Sequence, residues 1–128
     1  MTAKHWFRAL FVLLLLMCAA SQPARAADVQ QYVVVYLELF PGSEPSGERL
    51  LDQLASRAVA AGALRFDVDR EVQRSNFFVL IETWKNQAAY EAFTGSATTQ
   101  ALLTQLDQFL IAPRDERDAP VIQRAMST

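Results

Sequence analysis

FFVLIETWKNQAAYEA, residues 77–92, changes its period halfway along. Over residues 77–84 the apolar positions fall on both alternating sets: Phe77, Val79 and Ile81 against Phe78, Leu80 and Trp84. With β-branched and aromatic side chains throughout, this reads as a strand covered on both faces. Asn86 then stands where an N-cap belongs, and a short helix is expected from 87 to 94, stopped by Gly95.

Upstream, ALRFDVDREVQ (63–73) alternates almost strictly. Leu64, Phe66, Val68 and Val72 fall on one face, and Arg65, Asp67, Asp69 and Glu71 on the other. Arg74-Ser75-Asn76 makes a short connection, so 63–84 is expected to be a hairpin. Further upstream, QYVVVYLEL (31–39) is a second strand apolar on both faces, with Val33, Val35, Leu37 and Leu39 against Tyr32, Val34 and Tyr36. Pro41 to Pro45 reads as a turn and Ser46 as a cap. Leu50, Leu51, Leu54, Ala58 and Ala61 recur at helical spacing up to Gly62, a C-terminal cap. Downstream, Ser96 opens a helix to about Leu110, Pro113 to Asp118 reads as a charged loop, and Val121 to Ala125 as a last short strand.

Strand, helix, strand, strand, helix, strand is the ferredoxin-like βαββαβ order, an α+β fold with helices on one face of a four-stranded antiparallel sheet. The helices cover one side of the two-sided strands. The other side calls for a partner, and a second copy of the chain, sheet against sheet in an α/β barrel, is the simplest one. Such an interface buries roughly 1,000 Å² or more.

The first 26 residues carry Lys4, His5, Arg8 and Arg25, an apolar run from Ala9 to Ala20, and Ala24-Arg25-Ala26 at the end. That is the pattern of a secretory signal peptide. Cleavage after Ala26 would leave 102 of the 128 residues as one domain, 27–128. Met17 before Cys18 is not the small residue that a lipoprotein signal wants, so plain export with no stable membrane anchor is expected, to the periplasm or beyond. Cys18 and His5, the one cysteine and the one histidine, would leave with the signal. The remainder could build no disulfide, no cysteine nucleophile and no His-assisted triad. It would carry nine Lys and Arg against 14 acids, a net charge of −5, which does not suit nucleic acid. The four glycines, at 42, 47, 62 and 95, form no phosphate-binding loop.

Three stretches together resemble the antibiotic biosynthesis monooxygenase domain, quinol monooxygenase-like members included. They are the first strand running into Pro41-Gly42, then Gly62-Ala63-Leu64-Arg65-Phe66-Asp67, and above all Phe78 to Ala92, close to the family's F-x-L-x-E-x-W-K-D-x-x-A signature. The resemblance implies a dimeric α/β barrel. It also implies, for some members, oxidation of polycyclic phenols or quinols by O₂ with no metal, flavin or haem. An electron-rich phenolate can itself reduce O₂, so the protein's tasks are to enclose the ring, favour the phenolate and exclude water. Such a reaction suits an exported protein with little access to NAD(P)H.

By that resemblance Trp84 and Tyr90 are the candidate catalytic pair. The indole N–H could donate to a phenolate or peroxide oxygen, and the phenol could donate, accept or relay a proton. Asn76 could orient a carbonyl, Arg65 could stabilise an anion if turned inward, and Glu82 could serve as a base. Each has a plainer reading: core packing for Trp84 and Tyr90, a turn for Asn76, a cross-strand ion pair for Arg65 and Glu82. Phe93 stands where many family members carry a His, and is counted with the substrate-contacting residues. Haem-degrading relatives use a His on this helix as iron ligand, so haem degradation is not expected. Two roles remain beside the oxygenase: a non-catalytic dimer that binds a small aromatic or lipophilic molecule, and a dimerisation module with no ligand.

Overall fold

The computed structural model describes residues 29–120. The signal peptide expected at 1–26 and the strand expected at 121–125 lie outside the described residues. The elements follow as β1 (Gln31–Glu38), α1 (Glu44–Ala60), β2 (Ala63–Arg70), β3 (Phe77–Trp84), α2 (Gln87–Thr94), α3 (Ala97–Asp107) and β4 (Asp115–Pro120). The strands form one antiparallel sheet in the order β2-β3-β1-β4. This is the ferredoxin-like α+β arrangement, with the second crossover divided between α2 and α3.

The division has a local cause. The Asn86 side chain accepts from the Ala89 N–H at 2.9 Å, which starts α2. The Ser96 hydroxyl accepts from the Thr99 N–H at 3.3 Å, which starts α3 after the break at Gly95. The core lies between sheet and helices. Val33, Val35, Leu37 and Leu39 of the first strand and its end meet Leu50, Leu51, Leu54 and Ala58 of α1 and Leu102 and Leu106 of α3. Gly47 allows α1 to start close to the end of β1, since a Cβ there would collide with the Leu39 side chain.

Several boundaries differ from the expectation, among them the end of α3, at Asp107 rather than about Leu110. Helix α1 begins at Glu44 rather than after Ser46. Pro45 fits its first turn, where a missing N–H costs nothing, and the Glu44 carboxylate accepts from the Gly42 N–H at 2.7 Å. In β2 the register slips between Ala63 and Arg65, so Leu64 is an extra residue, 57% exposed, and the core-facing set is Ala63, Phe66 and Val68. Val72 lies past the strand and is fully exposed.

The largest difference is β4. Residues 115–118, expected in a charged loop, are part of a strand that pairs with β1 from Tyr36↔Asp115 to Gln31↔Pro120. All of its residues are exposed. Without an apolar face it gives no hydrophobic period, and what makes it a strand is the open backbone edge of β1. Pairing opposite Val35 and Val33 puts Glu116 and Asp118 on the helix side of the sheet.

The outer face carries Tyr32, Val34 and Tyr36 of β1 beside Phe77, Val79 and Ile81 of β3. Arg117 and Arg74 lay their guanidinium groups over the rings of Tyr36 and Phe77. Among the described residues, no helix is long and apolar enough to cross a membrane.

Candidate active site

Trp84 ends β3 on the helix side and is completely buried. Its ring lies 4.9 Å from that of Phe93 and 6.0 Å from that of Tyr90, centre to centre. Strand β3 and helix α2 are joined by only Lys85 and Asn86, so the three rings come together through one tight corner. Phe93 and Tyr90 sit one turn apart on the buried side of α2.

The Trp84 indole N–H donates to Glu82 Oε2 at 2.8 Å. Glu82 is 4% exposed. Burial pushes its carboxyl up to about 7, the Trp84 hydrogen bond works against that, and the negative charge of Glu116 adds to it. The Tyr90 hydroxyl donates to Glu116 Oε1 across to β4. Burial moves the Tyr90 phenol well above the ordinary tyrosine range, and the carboxylates of Glu116, Glu82 and Asp118 move it further. Tyr90 is therefore a neutral phenol at any physiological pH, and Glu82 is the group poised to exchange a proton near neutrality.

Glu82, Tyr90, Phe93 and Glu116 line one enclosed cavity between the sheet and the helices. Val35, Phe66, Leu80, Leu103 and Leu106 supply its apolar wall, with Leu54, Thr94 and Arg114 completing it. Measured to water centres it is about 30 Å³, room for one or two water molecules. Arg114 and Glu116 also line an open hollow of about 470 Å³ beside the end of α3, so these two side chains stand between the cavity and that hollow, at what we call its mouth. Arg114 is held at that mouth by Asp107, Nε to Oδ1 at 2.9 Å.

Of the residues singled out in the sequence, Trp84, Tyr90, Glu82 and Phe93 come together here, and Asn76 and Arg65 do not. Arg65 lies on the opposite face of the sheet, paired in register with Thr83 and bonded to Asp67 rather than to Glu82. No Arg65–Glu82 ion pair forms, because the extra residue at Leu64 sets Phe66, not Arg65, opposite Glu82. Asn76 clasps the end of the first strand: its Nδ2 donates to Leu39 O and its O accepts from the Leu39 N–H, both at 2.8 Å. We expect Asn76→Ala to cost about 1–2 kcal/mol in a urea unfolding experiment and to leave ligand binding in the cavity unchanged. Glu116 and Arg114 were missed in the sequence. Only the alternation of Glu116 and Asp118 with Asp115 and Arg117 could have pointed to them, and it carries no apolar signal. Among the described residues no group of three or more His, Cys, Asp or Glu is placed to hold a metal ion.

The four-stranded sheet with its helices on one face and an aromatic and carboxyl-lined cavity beneath them is a small ferredoxin-like α+β domain. The chain belongs to the antibiotic biosynthesis monooxygenase family, whose family model matches residues 31–105. Among solved structures it is similar to a variant of SnoaB, a cofactor-independent oxygenase from Streptomyces nogalater. That match has a TM-score of 0.68 and 18% identity, and covers 77% of this chain and 97% of the other. It is similar to Rv0793 from Mycobacterium tuberculosis at a TM-score of 0.69 and 18% identity, over 76% of this chain and 99% of the other. A conserved protein from Methanosarcina mazei matches at 0.67 and 15% identity, over 72% and 92%. At these identities the likeness is one of fold. No curated protein matches the chain.

Proposed function

We propose that the protein is an exported, homodimeric monooxygenase that oxidises a quinol or related aromatic phenol with O₂ and no cofactor. One observation carries the reading: a buried carboxyl that titrates near neutrality, Glu82, on the wall of a cavity shared with Tyr90 and backed by Trp84. Family membership supports the oxygenase class. The apolar outer sheet face supports the dimer, and the basic, apolar and A-x-A order of residues 1–26 supports export.

Glu82 would take the phenolic proton of a bound quinol. The phenolate then gives electrons to O₂; one oxygen atom enters the ring and the other leaves as water with the two hydrogens that the quinol loses. The Trp84 N–H, already bonded to Glu82, steadies its ionised form rather than an oxygen of the substrate. A bicyclic ring needs far more room than one or two waters, so the mouth at Arg114 and Glu116 must open to admit it.

The test is oxygen uptake with a panel of hydroquinones and anthrones, chelator present. Uptake should saturate and should rise with pH through about 7 as Glu82 ionises. Glu82→Gln should lower it about 100-fold or more, the ordinary share of a general base. Uptake no faster than autoxidation on every substrate would sink the reading. A second reading then stands, a binding domain for a small aromatic molecule. It is favoured by Phe93 at the family's His position and by the two ring donors already being bonded inside the protein.

A further inference from the structure

The donors at this cavity are spent on the protein itself. The Trp84 N–H goes to Glu82 and the Tyr90 hydroxyl goes to Glu116. What remains for a ligand is a set of acceptors. Glu82 gives one oxygen to Trp84, and its side chain also lines the cavity. The Tyr90 oxygen keeps its lone pairs, because its proton points to Glu116. Arg114 is the cation in the cavity wall, and Asp107 holds it from the outer side. Asp118, on the same side of the sheet, is held by the Gln31 amide at 3.1 Å.

We propose that Glu116 determines what this cavity accepts: by accepting the Tyr90 O–H hydrogen bond and setting a carboxylate at the mouth, it selects aromatic ligands that donate hydrogen bonds and turns away aromatic acids. The proposal rests on reading the cavity as the substrate site. The favoured class is a neutral or amine-bearing aromatic with at least two O–H or N–H groups, one for Glu82 and one for Tyr90 or Glu116. An aromatic carboxylate would bring its charge against Glu116 at the mouth and Glu82 inside, with Arg114 already engaged. Glu116 reaches this position because β4 pairs opposite Val35, which puts alternate charged residues of an otherwise exposed strand over the cavity.

Binding can be measured without turnover. The full chain is titrated calorimetrically, without oxygen and at about pH 8, where Glu82 is ionised. The three ligands share one bicyclic ring: a naphthohydroquinone, an aminonaphthol and a hydroxynaphthoate. The first two should bind at least about tenfold tighter than the acid. In Glu116→Gln that gap should shrink to about threefold or less, chiefly because the acid now binds. Asp115→Asn removes the same charge from the outer face of the same strand and should leave the gap unchanged, which separates local selection from net charge. Glu116 is exposed, so the glutamine variant should fold, and a thermal melt checks it. The proposal is overturned if the acid binds as tightly as the diol, if the gap survives in Glu116→Gln, if Asp115→Asn narrows it equally, or if none of the three binds. Oxygen uptake is read separately on the same preparation. Selectivity without uptake supports this proposal and sinks the oxygenase reading; uptake without selectivity does the reverse.

Discussion

Trp84→Ala should lose about 4 kcal/mol of stability, enough to leave a domain of this size at the edge of unfolding at room temperature. Trp84 is the largest of the fully buried side chains, and Phe93 and Tyr90 rest against it. Truncation empties the corner between β3 and α2 and removes the hydrogen bond that Glu82 receives. The two losses can be separated. Trp84→Phe keeps most of the packing but still strips Glu82 of its donor, and should cost about 1–3 kcal/mol, the range for an orphaned buried polar group. It should also move the Glu82 carboxyl above 7, so the midpoint of any pH profile shifts upward with it. Urea unfolding at fixed pH gives the energies. A Trp84→Phe protein as stable as wild type would show that the Glu82 bond carries no weight.

The second large effect is a dependence of stability on pH with an unusual sign. A carboxyl raised from its ordinary 4.5 to about 7 holds its proton more tightly in the folded protein than in the unfolded chain. Between those two values the native state binds more protons, so stability falls as pH rises. The fall amounts to about 3 kcal/mol and is complete above about pH 7. In melting temperature that is on the order of 10 °C between about pH 4.5 and 7.5. Glu82→Gln keeps an oxygen for the Trp84 N–H and has no charge to bury. It should therefore flatten this part of the curve and melt higher than wild type at about pH 8, even as it removes the proposed base. A gain in stability coupled to a loss of uptake would mark Glu82 as a group kept for its chemistry rather than its packing. A wild-type curve that stays flat from pH 4.5 to 7.5 would contradict the buried carboxyl.

The sheet and most of the site could be read in advance because their signals are local and apolar. The two-sided alternation of 31–39 and 77–84, the caps at Asn86 and Ser96 and the short corner at Lys85-Asn86 describe nearly everything that places Trp84, Tyr90 and Phe93. Glu82 was legible only in part: it falls on the same alternating set as Leu80 and Trp84, but both sets are apolar, and the plainer reading of it, a cross-strand pair with Arg65, does not hold. What stayed hidden depended on register and on pairing. The extra residue at Leu64 turned that leucine, expected beside Phe66 and Val68, away from the core, and no periodicity foretells a one-residue slip. Asn76 looked like a turn residue or a ligand to a carbonyl, and is a clasp on Leu39, which lies 37 positions away. Residues 115–118 read as a charged loop because all of them are charged, and only the free edge of β1 makes them strand. Glu116 was lost with that strand.

The cavity thus has walls of two kinds. Those from β1, β3, α2 and α3 are fastened by buried aliphatic and aromatic packing. The one from β4 is fastened by a backbone ladder, a tyrosine hydroxyl and, just before the strand, the ion pair of Arg114 with Asp107, with none of its own side chains buried. Heat and salt act differently on the two. Ionic strength loosens the second while leaving the first untouched, and local opening begins where little apolar surface is at stake. The way into the chamber is therefore also its weakest seam. Breathing of an edge strand, rather than any rearrangement of the core, is the cheapest way to make room for a guest. A bound guest would in turn slow the exchange of the amide hydrogens that tie β4 to β1.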